Sequence, residues 1–172
     1  PSQTINIWIK SIINMKFSIS KNLIKSSQET SLVIGIFEED IDSQFKELNF
    51  IETRTTLLQK LNYKKFTGEK GQIISFDLVE PNSQPITFIG IGNRKNIDYE
   101  SLKNTISDFA RKVVDKQKKV SFIFPWSNLN TNIINQLAET IRLSTYKDNR
   151  YNSKKNDSIV LDEIEFIQPE TI

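Results

Sequence analysis

From Met15 onward, short β-branched runs alternate with stretches of helical period, and that alternation is what most narrows the folds open to this chain. Strand-forming segments separated by amphipathic helices cannot each bury an apolar face alone. The stable solution is a sheet with helices packed on it, an α/β layer fold. The strand segments are Phe17 to Ser20, Leu32 to Phe37, Gln72 to Val79, Ile86 to Ile91, Val120 to Phe124 and Ile159 to Ile167. Leu32 to Phe37 is nearly all apolar and belongs at the centre of the sheet, where both faces are covered. Pro81-Asn82-Ser83-Gln84-Pro85, a run of turn formers, makes a hairpin of the two strands around it.

The helices follow from spacing. Ile41, Phe45 and Leu48 mark one short apolar face and Leu57, Leu58 and Leu61 another. Leu102, Ile106, Phe109, Ala110, Val113 and Val114 mark a longer helix, with Asp98 as its N-cap. Lys116, Lys118 and Lys119 cluster where that helix ends and its dipole favours cations. Ile133, Ile134, Leu137, Ala138 and Ile141 line a last helix, followed by a polar loop from Tyr146 to Asp157.

A chain of 172 residues suits one domain, long enough to bury roughly two-thirds of the surface exposed by its unfolded form. Its 37% hydrophobic and 26% charged residues are those of a folded, water-soluble unit. The net charge of +2 provides no large field to draw in nucleic acid or anionic lipid. Cysteine is absent, which excludes disulfides, zinc thiolate sites and cysteine nucleophiles and fits a reducing compartment. Histidine is absent too. A Ser-His-Asp triad, an imidazole base and imidazole-bound metal are therefore excluded, and any chemistry falls to Asp, Glu, Lys, Tyr or Arg. Residues 5 to 13 are apolar but too short to span a bilayer, are broken by Lys10 and lack the marks of a secretory signal. We read residues 1 to 14 as an extension of uncertain origin, with Met15 as the natural beginning.

Three clusters invite functional readings. Gly90-Ile91-Gly92-Asn93-Arg94 could bring backbone N–H groups to a phosphate, but it lacks the third glycine of a dinucleotide fingerprint and the lysine of a P-loop. A tight strand-to-helix turn explains it better. Glu38, Glu39, Asp40 and Asp42 do not have the spacing of an EF-hand and suit a solvated helix start. Arg142 to Lys155 interleaves five cations with Tyr146 and Tyr151, which suits nucleic acid or an inter-domain contact, while the acidic residues beyond it offer local compensation.

Five segments in order carry a family resemblance. They are Gly68-Glu69-Lys70-Gly71, Ile86-Thr87-Phe88-Ile89-Gly90-Ile91-Gly92, the helix around Ala110, Phe122-Ile123-Phe124-Pro125, and Tyr146-Lys147-Asp148-Asn149-Arg150-Tyr151 with Ser153-Lys154-Lys155. In order and spacing they resemble the N-terminal domain of the leucyl aminopeptidases, the cytosol aminopeptidase family. The resemblance implies a macro-domain-like, three-layer α/β/α fold with a mixed sheet over residues 15 to 168. Residues 169 to 172 would then begin a linker to an absent catalytic domain holding two divalent metal ions, manganese or zinc. The family's Asn-Thr-Asp-Ala-Glu-Gly-Arg motif, which supplies acidic ligands, has no counterpart here. No catalytic, cofactor-binding or metal-ligating role therefore carries over to any position. The resemblance further implies a cytoplasmic parent enzyme that is a hexamer and removes N-terminal residues such as leucine from peptides. Tyr146, Arg150, Tyr151 and Lys154 are then expected to face its catalytic domain. Two other readings stay open: a stand-alone module taking ADP-ribose at Gly90 to Asn93, and a nucleic-acid accessory domain using the Tyr146 to Lys155 loop.

Overall fold

The computed structural model describes residues 15–20, 30–39, 41–47, 54–77, 84–114, 116–124, 130–146 and 161–167. Their elements run β1 (Lys16–Ser20), β2 (Thr30–Phe37), α1 (Ile41–Glu47), α2 (Arg54–Tyr63), β3 (Ile73–Phe76), β4 (Ile86–Gly92), α3 (Tyr99–Val113), β5 (Lys119–Ile123), α4 (Thr131–Ser144) and β6 (Glu163–Ile167). Residues 1–14 and 169–172, Leu48, and the turn between Pro81 and Ser83 lie outside the described residues.

The strands form one mixed sheet in the order β1-β6-β5-β2-β4-β3. All neighbours are parallel except β3 and β4, whose antiparallel register sets Ile74 opposite Phe88, as a hairpin requires. β2 is interior and buried from Ser31 to Phe37. Its apolar run has the cause expected of a parallel strand: both faces meet packed side chains, so no position alternates to water.

Each face carries its own core, which makes the architecture three-layered. On one face, α3 and α4 pack Leu102, Ile106, Phe109, Leu137 and Ile141 against the sheet. Phe122 is central there, stacked 5.6 Å from Phe166 and 6.1 Å from Phe124, with Phe109 edge-on at 6.1 Å. On the other face, Phe45 of α1 and Leu57 and Leu61 of α2 cover Ile34, Ile36 and Phe88. Phe88 is the hub of this layer, with Phe45, Phe76 and Phe66 rings at 5.4, 6.1 and 6.4 Å.

α3 begins as its sequence dictates: the Asp98 carboxylate accepts the Ser101 N–H at 3.0 Å, relieving one of the unpaired donors of the first turn. Its end departs from expectation. The helix stops at Val113 and Lys119 opens β5 instead of capping the helix. The Lys119 ammonium points to β6, 3.0 Å from Glu163 and 3.2 Å from Glu165, and Ser121 Oγ donates to Glu165 at 2.9 Å. Lys119 and Ser121 lie two apart on β5, opposite Glu163 and Glu165 on β6, so the sheet's period of two aligns all four on one face.

Candidate functional site

The glycine cluster and the Gly68 to Gly71 turn, far apart in sequence, form one unit at the end of β2 and β4. Gly90 and Gly92 belong to β4 itself, so the glycines are strand residues and the turn begins after them. Their purpose is close approach. A Cβ on Gly90 would lie 1.9 Å from the Glu69 carbonyl oxygen, and one on Gly68 would lie 2.3 Å from the Phe37 carbonyl oxygen. Backbone bonds fasten the contact: Gly90 N–H donates to Gln72 O at 2.8 Å, Gly92 N–H to Gly68 O at 2.9 Å, and Glu38 N–H to Gly92 O at 3.0 Å. The Gln72 side-chain oxygen gathers the Thr67 and Gly68 N–H groups, each at 3.0 Å, from inside the turn. Beside it, Gln44 reaches from α1 to β2, accepting the Phe37 N–H at 2.8 Å and donating to the Phe37 carbonyl at 3.1 Å.

A cleft of about 560 Å³ opens over this unit, between the end of β4 and the start of α3. Its charged walls are Glu38, Lys70, Asp98 and Glu100, with Asn93 and Asn96 between them. Lys70 Nζ lies 3.0 Å from Asp98 Oδ2, tying the turn to the helix N-cap. The Ser101 N–H, and after it the Lys70 ammonium, hold the Asp98 carboxyl below its ordinary range. Next to the cleft, Arg94 pairs with Glu39 at 3.2 Å and lies 4.8 Å above the Phe37 ring. Of the lining carboxylates, Asp98 is thus held by the Lys70 ammonium and Glu100 by that of Lys103. Asp98 also takes up an α3 N-terminal donor that a phosphate would want, which suits a neutral or cationic group better than a nucleotide. Divalent ions find no donor set: among the described residues no three His, Cys, Asp or Glu side chains converge. The two ions implied by the resemblance do not fit the described residues of this chain.

The second candidate region is the end of α4. Tyr146 follows the Thr145 cap and is half exposed. Arg150, Tyr151 and Lys154 lie outside the described residues, so the structure does not place them. Arg142, one turn before Tyr146, lies 5.1 Å above the Phe17 ring of β1, and Leu143 is 69% exposed. Sequence reasoning does not single out Leu143 or Ile19 as surface residues. A signal for Leu143 exists, since it falls out of phase with Ile134, Leu137 and Ile141, the buried stripe of α4.

Residues 33–155 match the family model of the cytosol aminopeptidase family, N-terminal domain. The chain belongs to the cytosol aminopeptidase family. Among its cytosol aminopeptidase relatives, a probable cytosol aminopeptidase of Prochlorococcus marinus subsp. pastoris is 45% identical over 154 residues, covering 89% of this chain and 31% of that protein. One from a Synechococcus species is 27% identical over 158 residues, 90% of this chain and 31% of that protein. The chain therefore spans about a third of the length of the curated relatives it matches. Among solved structures, a tomato leucine aminopeptidase mutant superposes with a TM-score of 0.67 at 18% identity, over 89% of this chain and 32% of that one. A bottromycin maturation enzyme, in complex with Mn, gives 0.54 at 11% identity, over 84% and 27%. At such identities the likeness is one of fold, a mixed α/β sheet shared with the N-terminal part of an aminopeptidase. Among the described residues no helix is long and apolar enough to cross a membrane.

Proposed function

We propose that this chain is the non-catalytic N-terminal domain of a metal-dependent leucyl aminopeptidase, serving assembly or regulation of a cytoplasmic, hexameric parent enzyme. The observation that carries it is the match of residues 33–155 to the N-terminal domain of a family in which the 154 residues shared with a curated relative make up 31% of that protein. Hydrolysis by two divalent ions needs several convergent carboxylates to polarise the peptide carbonyl and activate a water. Such ligands would come from the remaining, larger part of the parent, which would also be this domain's principal partner. A macro-like arrangement of the sheet is part of the same proposal. The nucleotide-module alternative draws less support, because the Ser101 N–H at the start of α3, a donor a phosphate would use, is already taken by the Asp98 carboxylate.

The test is hydrolysis of leucine p-nitroanilide with manganese added, by the purified 172-residue chain and by the same chain joined to the remainder of the Prochlorococcus marinus relative. Turnover by the joined polypeptide and none above blank by the chain alone is expected. Metal-dependent turnover that copurifies with the chain alone would overturn the proposal, as would an inactive joined polypeptide that is folded and metal-loaded.

A further inference from the structure

Among the described residues, Tyr63 and Tyr99 are exposed on α2 and α3, while the other exposed large hydrophobic side chains, Ile19 at 53%, Leu143 at 69% and Tyr146 at 46%, belong to β1, the end of α4 and the residues just after it. Phe17 and Ile19 point to the same face of β1, two residues apart. Arg142 ties the helix end to that face by lying 5.1 Å above the Phe17 ring. β1 is also the edge of the sheet, paired with β6 on one side and with no described strand on the other. An exposed edge with apolar side chains is what folded proteins usually cover.

The path of the chain says what covers it here. β6 runs parallel to β1, and its last residue, Ile167, is opposite Ser20, the residue after Ile19. Whatever follows β6 therefore leaves the sheet beside Ile19, and each further residue carries it at most about 3.5 Å. In the family relatives, the matched part is an N-terminal domain making up 31% of the protein, so the larger part follows it. A body tethered beside Ile19 meets at high effective concentration the surface that runs from there down β1 to Phe17, opposite Ile164, and on to the end of α4. Resting on the reading of this chain as an N-terminal domain, we infer that the corner formed by Ile19, Phe17, Arg142, Leu143 and Tyr146 is the docking surface for the catalytic part of the same polypeptide. The contact is apolar and aromatic at its centre. Tyr146 is the first residue of the segment that the sequence singles out as an inter-domain contact.

Hydrogen exchange tests it, comparing the 172-residue chain with the same chain joined to the remainder of the Prochlorococcus marinus relative. The amides of residues 16–20 and 142–146 should exchange roughly tenfold more slowly in the long polypeptide. Those around Tyr63, 83% exposed on α2, should not change. Ile19→Lys combined with Leu143→Glu, at two exposed positions that leave the core intact, should abolish the protection. A long polypeptide that hydrolyses leucine p-nitroanilide yet leaves the corner unprotected would overturn the docking surface while sparing the proposed function. Protection that appears in the chain alone and grows with its concentration would overturn it in favour of a second copy. If the joined polypeptide fails to fold, adding the chain to the separately produced remainder provides the same comparison: slowed exchange at the corner supports the docking surface, and unchanged exchange overturns it.

Discussion

Gly90→Ala should be among the most damaging single-methyl changes in this domain, and the structure says by how much. The added Cβ would lie 1.9 Å from the Glu69 carbonyl oxygen, 2.8 Å from its carbon and 2.9 Å from the Gly68 carbonyl carbon, all backbone atoms with no rotamer to yield. The 67–72 turn must move off β4. Doing so breaks Gly90 N–H to Gln72 O at 2.8 Å, Gly92 N–H to Gly68 O at 2.9 Å and Gly71 N–H to Gly90 O at 3.3 Å. At about 0.5–1.5 kcal/mol net for each bond, the loss is about 2–4 kcal/mol. In a domain of this size that lowers Tm by roughly 5–15 °C. The control is Gly71→Ala, where φ is 87° but nothing lies within 4 Å; it incurs only the left-handed backbone cost of about 1–2 kcal/mol. Urea unfolding of the purified chain, followed by circular dichroism, measures both. If Gly90→Ala costs no more than Gly71→Ala, the close approach is not what selects glycine. A Gly90 that served a ligand would instead lose binding and keep its stability.

Other expectations rest on equally local features. Lys119→Ala strands the Glu165 carboxylate, 1% exposed, among buried groups, and should cost about 3–5 kcal/mol in denaturant unfolding, while a Lys119→Met, Glu165→Gln pair should cost much less. Burial alone would lower the Lys119 ammonium, but hydrogen bonds to Glu163 and Glu165 and their charge hold it above the ordinary 10.5. The stability it confers is therefore complete below pH 10.5 and disappears as pH climbs through the raised folded value, which alkaline titration of the unfolding midpoint would show and Lys119→Met would remove. The Asp98 carboxyl is held below its ordinary 3.8, first by the Ser101 N–H and then by Lys70, so its contribution is present above pH 3.8 and lost as pH falls through the lowered value. Asp98→Asn should keep the cap and flatten that acid limb, whereas Asp98→Ala should fray the start of α3 in amide exchange. Gln44→Leu removes the acceptor of the buried Phe37 N–H and should cost about 1–3 kcal/mol in the same unfolding assay.

Much of this fold was legible because its signals are local. The α3 stripe from Leu102 to Ala110, its Asp98 cap, the central β2 and the β3–β4 hairpin all follow from spacing within a dozen residues, and each stands where the spacing puts it. What escaped was decided at long range. Lys119 sits in a run of lysines after a helix, and only the register of β5 with β6, 44 residues on, turns it into the partner of two glutamates. Gly90 and Gly92 read as a turn because glycine marks turns most often; the actual cause, the backbone of Glu69 against the strand, is invisible without the hairpin already folded. Gln44 carries no sequence signal, since its partner is the main chain of Phe37. Of the contact expected at the Tyr146 loop, only Tyr146 itself lies among the described residues, and the approach of α4 to β1, marked by Arg142 over the Phe17 ring, was beyond sequence spacing because the two elements meet only in the fold.

The place of β6, between β1 and β5, gives the domain a fixed order of completion during synthesis. Until the polypeptide has been made as far as Glu163, Lys16–Ser20 has no described strand to lie against and β5 shows a bare flank. The first described strand to be made is thus among the last to find its seat. The sheet closes only as the ribosome reaches the place where, in the relatives, the rest of the protein follows.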